Sequence, residues 1–303
     1  MRFQSSSPIG HRWARLVFVA AVFGMGSPAL GDKHLPGLGD SMLEVSISAA
    51  EKATGREFIR QARSRFRFVD DPLVLEVLQQ IGGRLSSTLT GDTHSLSFHL
   101  IENPQLNAFA GPGGHIGVFT GLFTATESEA ELASVIAHEL AHVTQRHLPR
   151  MIESAQQRQL PATAGMIAAS LLGGQAGAAT LAATNAAAIS DQLSYTRAFE
   201  READALGLKI LNAAGYDPEA MARFLQRLAQ SSRFQDTEVP EYFRTHPLSS
   251  HRIAEMEGRT VNYSPVAEKP SASFLHAQAR IAALYSDDPE RALDEFRHRI
   301  ASD

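Results

Sequence analysis

The segment from Ser128 to His147 reads SEAELASVIAHELAHVTQRH, and it carries the strongest signals for both structure and chemistry. Its first four residues match a capping box, in which a serine and a glutamate three residues later satisfy the free amides at a helix N-terminus. Apolar residues then recur at helical spacing, so the pattern predicts an apolar helix that ends at about His147. Two histidines four residues apart lie inside this predicted helix, and they are candidate metal ligands.

These histidines belong to the motif HELAH, which spans His138, Glu139 and His142. Residues four apart project from one face of an α-helix, so both imidazoles can bind the same zinc ion. Glu139 would then direct a carboxylate at the remaining coordination position, where hydrolysis needs a base. The alternative is two ordinary histidines on a solvated face, but the apolar residues around them place the pair at a buried surface. The motif therefore predicts a catalytic zinc site.

A hydrolytic zinc site needs a third protein ligand, and the residues directly after the motif do not supply one. The extended motif HExxHxxGxxH fails because Gln145 and Leu148 stand where it requires glycine and histidine. His147 does not replace the missing ligand, because on a continued helix it would face away from His138. The third ligand must therefore come from elsewhere in the chain.

A second predicted helix, from about residue 192 to 213, offers acidic candidates. Glu200 and Asp204 are four apart on one face, whereas Glu202 projects to the other side. In one interpretation Glu200 is the ligand and Asp204 accepts an N–H from a ligand histidine, which would orient that imidazole. In the other, the acidic residues form an ordinary solvated face. Spacing alone does not decide between them.

Composition limits the remaining possibilities. The chain has 303 residues, of which 44% are hydrophobic and 20% are charged, as in ordinary globular proteins. Cysteine is absent, which excludes disulfides, thiolate zinc sites and cysteine nucleophiles, so histidines and carboxylates must hold any metal. The formal charge of −5 argues against the basic surface that nucleic-acid binding requires. No nucleic-acid partner is predicted.

Residues 1–31 read as a signal peptide. Three arginines precede an apolar run from Leu16 to Met25, and small residues follow it. An uncleaved membrane anchor is the alternative, but this run is well short of the roughly twenty residues that cross a bilayer. We expect export with cleavage after Gly31, and hence a periplasmic protein.

The remaining sequence predicts an α+β fold that is mostly helical. Asp71-Pro72 is typical of an N-cap followed by a first-turn proline, and apolar residues at helical spacing come after it. A short strand is expected at residues 96–101. Asn107 opens a glycine-rich segment that leads into a strand at His115, which predicts a hairpin or a sheet edge. Residues 32–265 should form one zinc metalloprotease domain.

Two further segments have distinct compositions. Residues 161–190 are rich in alanine and glycine, and their few bulky apolar side chains favour a packed helical hairpin over a membrane span. Peripheral contact of this segment with a membrane surface stays open. Residues 270–303 have the pattern of a helical hairpin made of two short amphipathic helices.

Four motifs together resemble the integral-membrane and periplasmic zinc proteases of the HtpX and CaaX-protease type, most closely their β-barrel assembly-enhancing members. The resemblance covers about residues 39–257. In chain order the motifs are Asn107-Ala-Phe-Ala, SEAELA with HELAH, Glu200-x-x-x-Asp204, and Thr245-His246-Pro-Leu with Arg252-Ile253. The resemblance implies a zincin-like (gluzincin) domain with a small β-sheet edge.

The same resemblance implies roles for individual residues. One Zn²⁺ would be held by His138, His142 and Glu200, with Asp204 supporting a ligand. Catalytic roles are implied for Glu139, His246 and Arg252. Two roles are open for His246: a neutral imidazole that fills the open zinc position and keeps the enzyme latent, or a donor to the oxyanion.

The resemblance also implies endopeptidase action on polypeptides, namely unfolded outer-membrane proteins, with the outer-membrane assembly machinery as a partner. A substrate chain would add to an edge strand near His115 to Phe119. The implied substrate-binding residues are Asn107, Ala108, His115, Ile116, Gly117 and Val118. Such proteases continue into tetratricopeptide repeats, and residues 270–303 resemble the start of one; this hairpin either begins such an array or docks on the protease domain. A chaperone-like binder with a latent protease site is the alternative function.

Overall fold

The computed structural model describes residues 43–154, 196–234, 242, 245–267 and 271–285, together with residues 290, 294 and 297. The predicted signal peptide, residues 1–31, and the Ala/Gly-rich segment, residues 161–190, lie outside these residues. Within the described ranges, no helix is long and apolar enough to cross a membrane.

Helices dominate the described residues, as expected for a mostly helical α+β fold. In chain order the elements are β1 (Glu44–Val45), α1 (Ala49–Arg65), α2 (Pro72–Ser86), β2 (Thr90–Gly91), β3 (Ser97–Ile101), β4 (Ala108–Ala110), β5 (His115–Phe119), α3 (Thr120–Ala125), α4 (Glu129–Thr144), α5 (147–154), α6 (196–213), α7 (Glu219–Phe234), α8 (Ser250–Thr260) and α9 (Ala272–Tyr285). The predicted fold class is confirmed.

Helix α2 begins where its sequence predicts. The Asp71 side chain accepts hydrogen bonds from the backbone N–H groups of Leu73 and Val74, and Pro72 occupies the first turn. Proline is tolerated there because its missing N–H would have no partner inside the helix. The apolar face is fully buried against the central core. Its residues are Val74, Val77, Leu78, Ile81 and Leu85.

The three-stranded sheet has the order β3-β5-β4. Strand β5 pairs in parallel with β3 and antiparallel with β4, so the predicted hairpin forms. The expectation of an edge strand at His115 to Phe119 is wrong, because β5 lies between two partners that use its backbone groups. A substrate strand therefore cannot add along Ile116, Gly117 and Val118. The edge next to these residues is β4.

Helix α9 extends the core beyond the predicted domain boundary at residues 265–270. The Phe274 ring stacks on Phe123 of α3, with centroids 5.4 Å apart. The buried Gln278 amide donates to the carbonyl oxygens of Phe123 and Thr126, at 2.8 and 2.7 Å. These carbonyls lie at the end of α3, where the helix leaves acceptors without internal partners. The first helix of the predicted hairpin therefore packs on the same core as the described residues of the predicted protease domain.

Candidate metal centre and active site

Helix α4 brings the HELAH motif into the protein interior. The Ser128 hydroxyl caps its first turn by accepting from the backbone N–H of Glu131. The Glu131 carboxylate instead accepts from the backbone N–H of Glu127, so only half of the predicted capping box forms. Every residue from Ala130 to Ala141 is buried. The two histidines are thus held on a rigid and enclosed element.

Four side chains from three regions of the chain converge at this helix. His138 and His142 of α4, Glu200 of α6 and His246 each offer a ligand atom, and these atoms lie within 4.8 Å of one another. The Nε2 atoms of the two α4 histidines are 3.0 Å apart. Glu200 approaches them at 3.4 and 3.5 Å, and His246 Nδ1 lies 3.3 Å from His138 Nε2. The structure thus brings together the ligands predicted from the sequence.

The spacing of these atoms fits a zinc ion. A tetrahedral zinc ion with bonds of about 2.0–2.1 Å separates its ligand atoms by roughly 3.3 Å. The observed separations of 3.0 to 3.5 Å are close to that value. Imidazole nitrogens and a carboxylate oxygen are also donors that zinc prefers.

The pKa shifts of two cluster members favour metal binding. Burial opposes ionisation of Glu200, but the neighbouring His246 and His138 outweigh it and hold the pKa of this carboxyl well below its usual value. Burial lowers the pKa of His142, and the adjacent His138 adds to that effect, so His142 stays neutral with a free lone pair. An ionised carboxylate and a neutral imidazole are the forms that bind metal. At His138 burial is outweighed by Asp204 and Glu200, which raise its pKa to about 10, so a metal would have to replace a proton there.

Asp204 and Arg252 support the ligands. Asp204 Oδ1 lies 3.1 Å from His138 Nδ1, which leaves Nε2 of that ring to face the cluster. Arg252 donates through Nε and Nη2 to Asp204, both at 2.8 Å, and its Nη1 contacts Glu200 at 2.9 Å and the Pro247 carbonyl at 3.0 Å. All three guanidinium nitrogens are engaged. The guanidinium group thus holds both carboxylates in place, and the catalytic role implied for Arg252 stays a prediction.

Glu139 stands beside the ligand cluster without joining it. The side chain is 1% exposed, and among the described residues its Oε1 has no hydrogen-bond partner. His246 Nε2 lies 3.2 Å from this oxygen, but not in hydrogen-bonding geometry. A buried carboxylate oxygen without a partner is costly, and such sites commonly mark catalytic groups or places where water binds. Its position suits a base that acts on water next to the cluster.

Strand β4 lies at the edge of the three-stranded sheet, and within the described part of the chain no second strand pairs with it. Phe119 N–H donates to the Asn107 carbonyl and Gly111 N–H donates to the His115 carbonyl. Because hydrogen-bonded pairs alternate along an antiparallel ladder, the N–H and C=O groups of Ala108 and Ala110 point away from β5. The buried Asn107 side-chain oxygen has no partner among the described residues. The predicted residues Asn107 and Ala108 thus lie at the edge that can accept a strand.

Two further residues contact the site although no motif signalled them. The Tyr242 ring lies 4.8 Å from the His246 ring and is 2% exposed. Tyr242 precedes His246 by four residues, and this spacing is the sequence signal that could have placed it near the site. His147 contacts the ligand His142, with their Nδ1 atoms 2.8 Å apart. The sequence prediction had placed His147 away from the site because it assumed a continuous helix.

Comparison with known proteins agrees with this geometry. Residues 75–260, which contain the whole described cluster, match the model of peptidase family M48. The chain belongs to this family. The match confirms the prediction of a metallopeptidase domain.

Relatives of the M48 domain carry related names. Beta-barrel assembly-enhancing protease from Yersinia pestis is 36% identical over 271 residues, covering 88% of this chain and 55% of that protein. Its counterpart from Escherichia coli (strain K12) is 35% identical over 276 residues, covering 89% and 56%. Mitochondrial metalloendopeptidase OMA1 from Schizosaccharomyces pombe is 35% identical over 160 residues, covering 52% and 45%. The chain spans about half the length of the curated relatives it matches.

Replacing Glu200 by Gln is expected to weaken zinc binding by the M48 domain severely. The amide is neutral, so the ligand set loses its anion. The loss should exceed the roughly 10- to 100-fold that removal of a supporting residue causes. Zinc affinity would be measured by competition with a chelating dye. Glu219→Gln, at an exposed glutamate on α7, is the matched control and should bind zinc like the parent. Parental affinity in Glu200→Gln would contradict the assigned ligand.

Gly207→Ala is expected to separate α6 from α4 beside the site. An added Cβ would lie 3.1 Å from the backbone N and Cα of His138, and backbone atoms inside a buried helix cannot easily move away. Overpacking of this kind costs about 1–3 kcal/mol, which exceeds the gain of at most about 1 kcal/mol in helix propensity. Urea unfolding of the metal-free protein should show the loss. Gly258→Ala is the control, because nothing lies within 4 Å of its added Cβ; equal stability of both variants would refute the close-approach argument.

Proposed function

We propose that this chain is the catalytic domain of a zinc-dependent metalloendopeptidase. The observation that carries the proposal is the convergence of His138, His142 and Glu200 next to Glu139, which contributes no ligand atom to the cluster. Catalytic zinc sites use three protein ligands and an open position, so the fourth ligand atom of the cluster, from His246, would have to leave for catalysis. Membership of a peptidase family supports the same conclusion.

The residues that would hold zinc are His138, His142 and Glu200. Zinc bound there would lower the pKa of water toward about 7 and polarise the scissile carbonyl. Asp204 keeps the Nδ1 proton of His138 in place, so that Nε2 offers its lone pair to the site. Arg252 in turn fixes both carboxylates, at 2.8 Å from Asp204 and 2.9 Å from Glu200.

Glu139 is the proposed general base. Its carboxylate takes one proton from the attacking water as the new C–O bond forms. It gives that proton to the amine nitrogen as the C–N bond breaks, which restores the carboxylate. A positioned base of this kind contributes about 10²–10⁴-fold to the rate. Burial holds the side chain in one place, so little reorganisation is needed during the reaction.

Substrate chains are proposed to bind along β4. The outward N–H and C=O groups of Ala108 and Ala110 can pair with an extended peptide, and Asn107 Oδ1 can accept a further backbone hydrogen bond. Main-chain pairing reads the backbone more than the side chains. This mode requires an extended chain, which favours unfolded over folded substrates.

His246 is proposed to keep the enzyme latent. Its Nδ1 lies near Glu200 Oε1 at 3.1 Å and completes the cluster as a fourth ligand atom. Tyr242, four residues before His246, also contacts the proposed substrate edge, because its N–H donates to the Leu106 carbonyl at 3.1 Å. Leu106 lies two residues before the start of β4. The His246 segment would thus hinder both water at the metal and a substrate strand at β4.

The proposed substrates are unfolded or misassembled outer-membrane proteins in the periplasm. Beta-barrel assembly-enhancing protease is the name of the relatives that align along most of this chain, which supports that class. Export after removal of residues 1–31 would place the domain there, with the outer-membrane assembly machinery as a partner and residues 161–190 as a candidate membrane contact. Cleavage of a denatured outer-membrane protein, but not of its folded form, is the expected result.

A chaperone-like binder with a latent protease site is the second candidate, and the position of His246 in the cluster favours it. Casein cleavage with and without a chelator separates the two. Chelator-sensitive turnover by zinc-loaded protein supports the peptidase. Saturable binding of unfolded protein with no turnover, in the parent and in His246→Ala, supports the binder.

A further inference from the structure

His147 lies at a break between two helices, where the chain changes direction. Helix α4 ends at Thr144, and Arg146 adopts a left-handed conformation with φ of 52°. The Arg146 side chain is held by the Glu51 carboxylate at 3.2 Å and by the Ser46 carbonyl at 3.3 Å. This turn sends the chain back toward α4, so His147 meets the ring of His142 instead of facing away.

The His147 ring is fixed on three sides. It is 3% exposed and stacks on Phe199 of α6, with centroids 4.2 Å apart and planes 15° apart. Its Nδ1 lies 2.8 Å from His142 Nδ1, and its Nε2 lies 3.1 Å from Glu202 Oε2. Arg150 binds the same carboxylate at 2.9 Å. Glu202, on the face of α6 opposite the ligands, thereby connects to the cluster through His147.

These contacts specify where each proton lies. If His142 offers the Nε2 lone pair to a metal, its single proton is on Nδ1 and is donated to His147 Nδ1. His147 then carries its own proton on Nε2 and donates it to Glu202. Each hydrogen bond has one donor and one acceptor, and both imidazoles are neutral. His138 has the same arrangement in shorter form, because its Nδ1 faces Asp204 directly at 3.1 Å.

We propose that His147, backed by Glu202, is a positioning residue that fixes the tautomer and orientation of His142 for metal binding. The proposal rests on the zinc site of the proposed function. The arrangement gives each α4 ligand its own carboxylate, one in direct contact and one through an imidazole. Loss of a supporting partner of this kind typically weakens metal affinity or activity by about 10- to 100-fold.

Two substitutions of His147 separate hydrogen bonding from packing. His147→Phe keeps the ring that stacks on Phe199 but removes the acceptor for His142. His147→Asn removes the ring but keeps an acceptor oxygen near the position of Nδ1. We expect zinc affinity, measured by competition with a chelating dye, to fall by about 10- to 100-fold in the Phe variant and to stay much nearer the parent in the Asn variant. The opposite order, or parental affinity in His147→Phe, would overturn the proposal.

Further measurements test the link to Glu202. Glu202→Gln should weaken zinc affinity less than His147→Phe and should add nothing to it in the double variant, because Glu202 acts through His147. Glu153→Gln, at an exposed carboxylate on α5, is the charge-matched control. Additive losses would contradict the relay. The visible spectrum of Co²⁺-loaded protein should shift in His147→Phe and not in Glu153→Gln, since it reports ligand geometry.

A separate variant, His142→Ala, distinguishes an error in the proposed zinc ligands from an error in the proposed role of His147. If His142→Ala binds zinc like the parent, the proposed ligand set is wrong. If His142→Ala loses zinc and His147→Phe does not, only the positioning role is wrong. Thermal unfolding of the metal-free variants shows that each has folded.

Discussion

Glu139→Gln is expected to abolish measurable cleavage of casein while zinc binding is retained. The carboxylate contributes no atom to the ligand cluster, so its loss should leave the metal content at the parental level. The amide cannot accept the proton of the attacking water, and the rate should fall by about 10²–10⁴-fold. The amide is nearly isosteric with the carboxylate, so the packing around this buried position should change little. Metal analysis and cleavage assays on the same preparation would check both halves of the prediction.

A matched control comes from the same helix. Glu129 is the first residue of α4, and its carboxylate accepts from the Tyr216 hydroxyl at 2.8 Å, away from the ligand cluster. Glu129→Gln keeps an acceptor for that hydroxyl and should retain near-parental turnover. If Glu139→Gln kept more than a small fraction of parental activity and that activity was still inhibited by a chelator, the base would have to be another group.

Local signals predicted the helices well. Asp71 and Ser128 cap the helices that their positions indicated, because capping depends on residues within one turn. The candidate ligands could also be predicted from the sequence, because the i,i+4 spacing on α4 and α6 fixes which side chains share a helix face. Family resemblance supplied the choice of Glu200, which spacing had left undecided. In the structure Glu200 lies in one cluster with both histidines, and its role as a ligand stays a prediction.

The order of the strands in the sheet could not be predicted from the sequence. The glycines before His115 indicated a hairpin, but nothing near them showed that β3 would pair with the other side of β5. Strand order depends on contacts between distant residues, so the edge was assigned to the wrong strand. The contacts of Arg252 could not be read from the local sequence for a similar reason: its partners on α6, Asp204 and Glu200, lie 48 and 52 residues away in the chain.

The supporting role of His147 was missed because of an error of three residues at a helix end. The predicted helix ran to about His147, whereas α4 ends at Thr144. A glycine usually marks a left-handed turn after a helix, and here Arg146 takes that conformation without the usual signal. Helix ends are the least certain part of a periodicity prediction. A small boundary error changed which residues faced the metal site.

His246→Ala is expected to raise basal proteolysis. In the structure His246 offers a fourth ligand atom to the cluster. The Tyr242 N–H, four residues earlier, donates to the Leu106 carbonyl beside the proposed substrate edge. Four protein ligands give a closed site of the structural type, so water would lack access. If the open form is populated at about 0.1–10%, removing the fourth ligand could raise the rate by about 10- to 1,000-fold. Casein cleavage by zinc-saturated protein measures this change.

Three further results would distinguish a released latch from a general loosening. Zinc affinity should fall in His246→Ala, because a ligand is lost even as turnover rises. His251→Ala, at an exposed histidine that pairs with Glu255, should change neither property. The double variant Glu139→Gln with His246→Ala should be inactive, which would show that the added cleavage arises at this site.

The competing role for His246 predicts the opposite sign. A protonated imidazole beside the reacting carbonyl would donate to the oxyanion, and losing such a donor costs about 10²–10³-fold in rate. His246→Ala would then be nearly inactive at saturating zinc. His246 Nδ1 lies 3.1 and 3.2 Å from the two Glu200 carboxylate oxygens, and thus among the ligand atoms. A nitrogen in that position can bind metal only when it carries no proton, so this placement favours the latch. A hundredfold fall in turnover would therefore refute the latch, and a rise would exclude His246 as an essential donor.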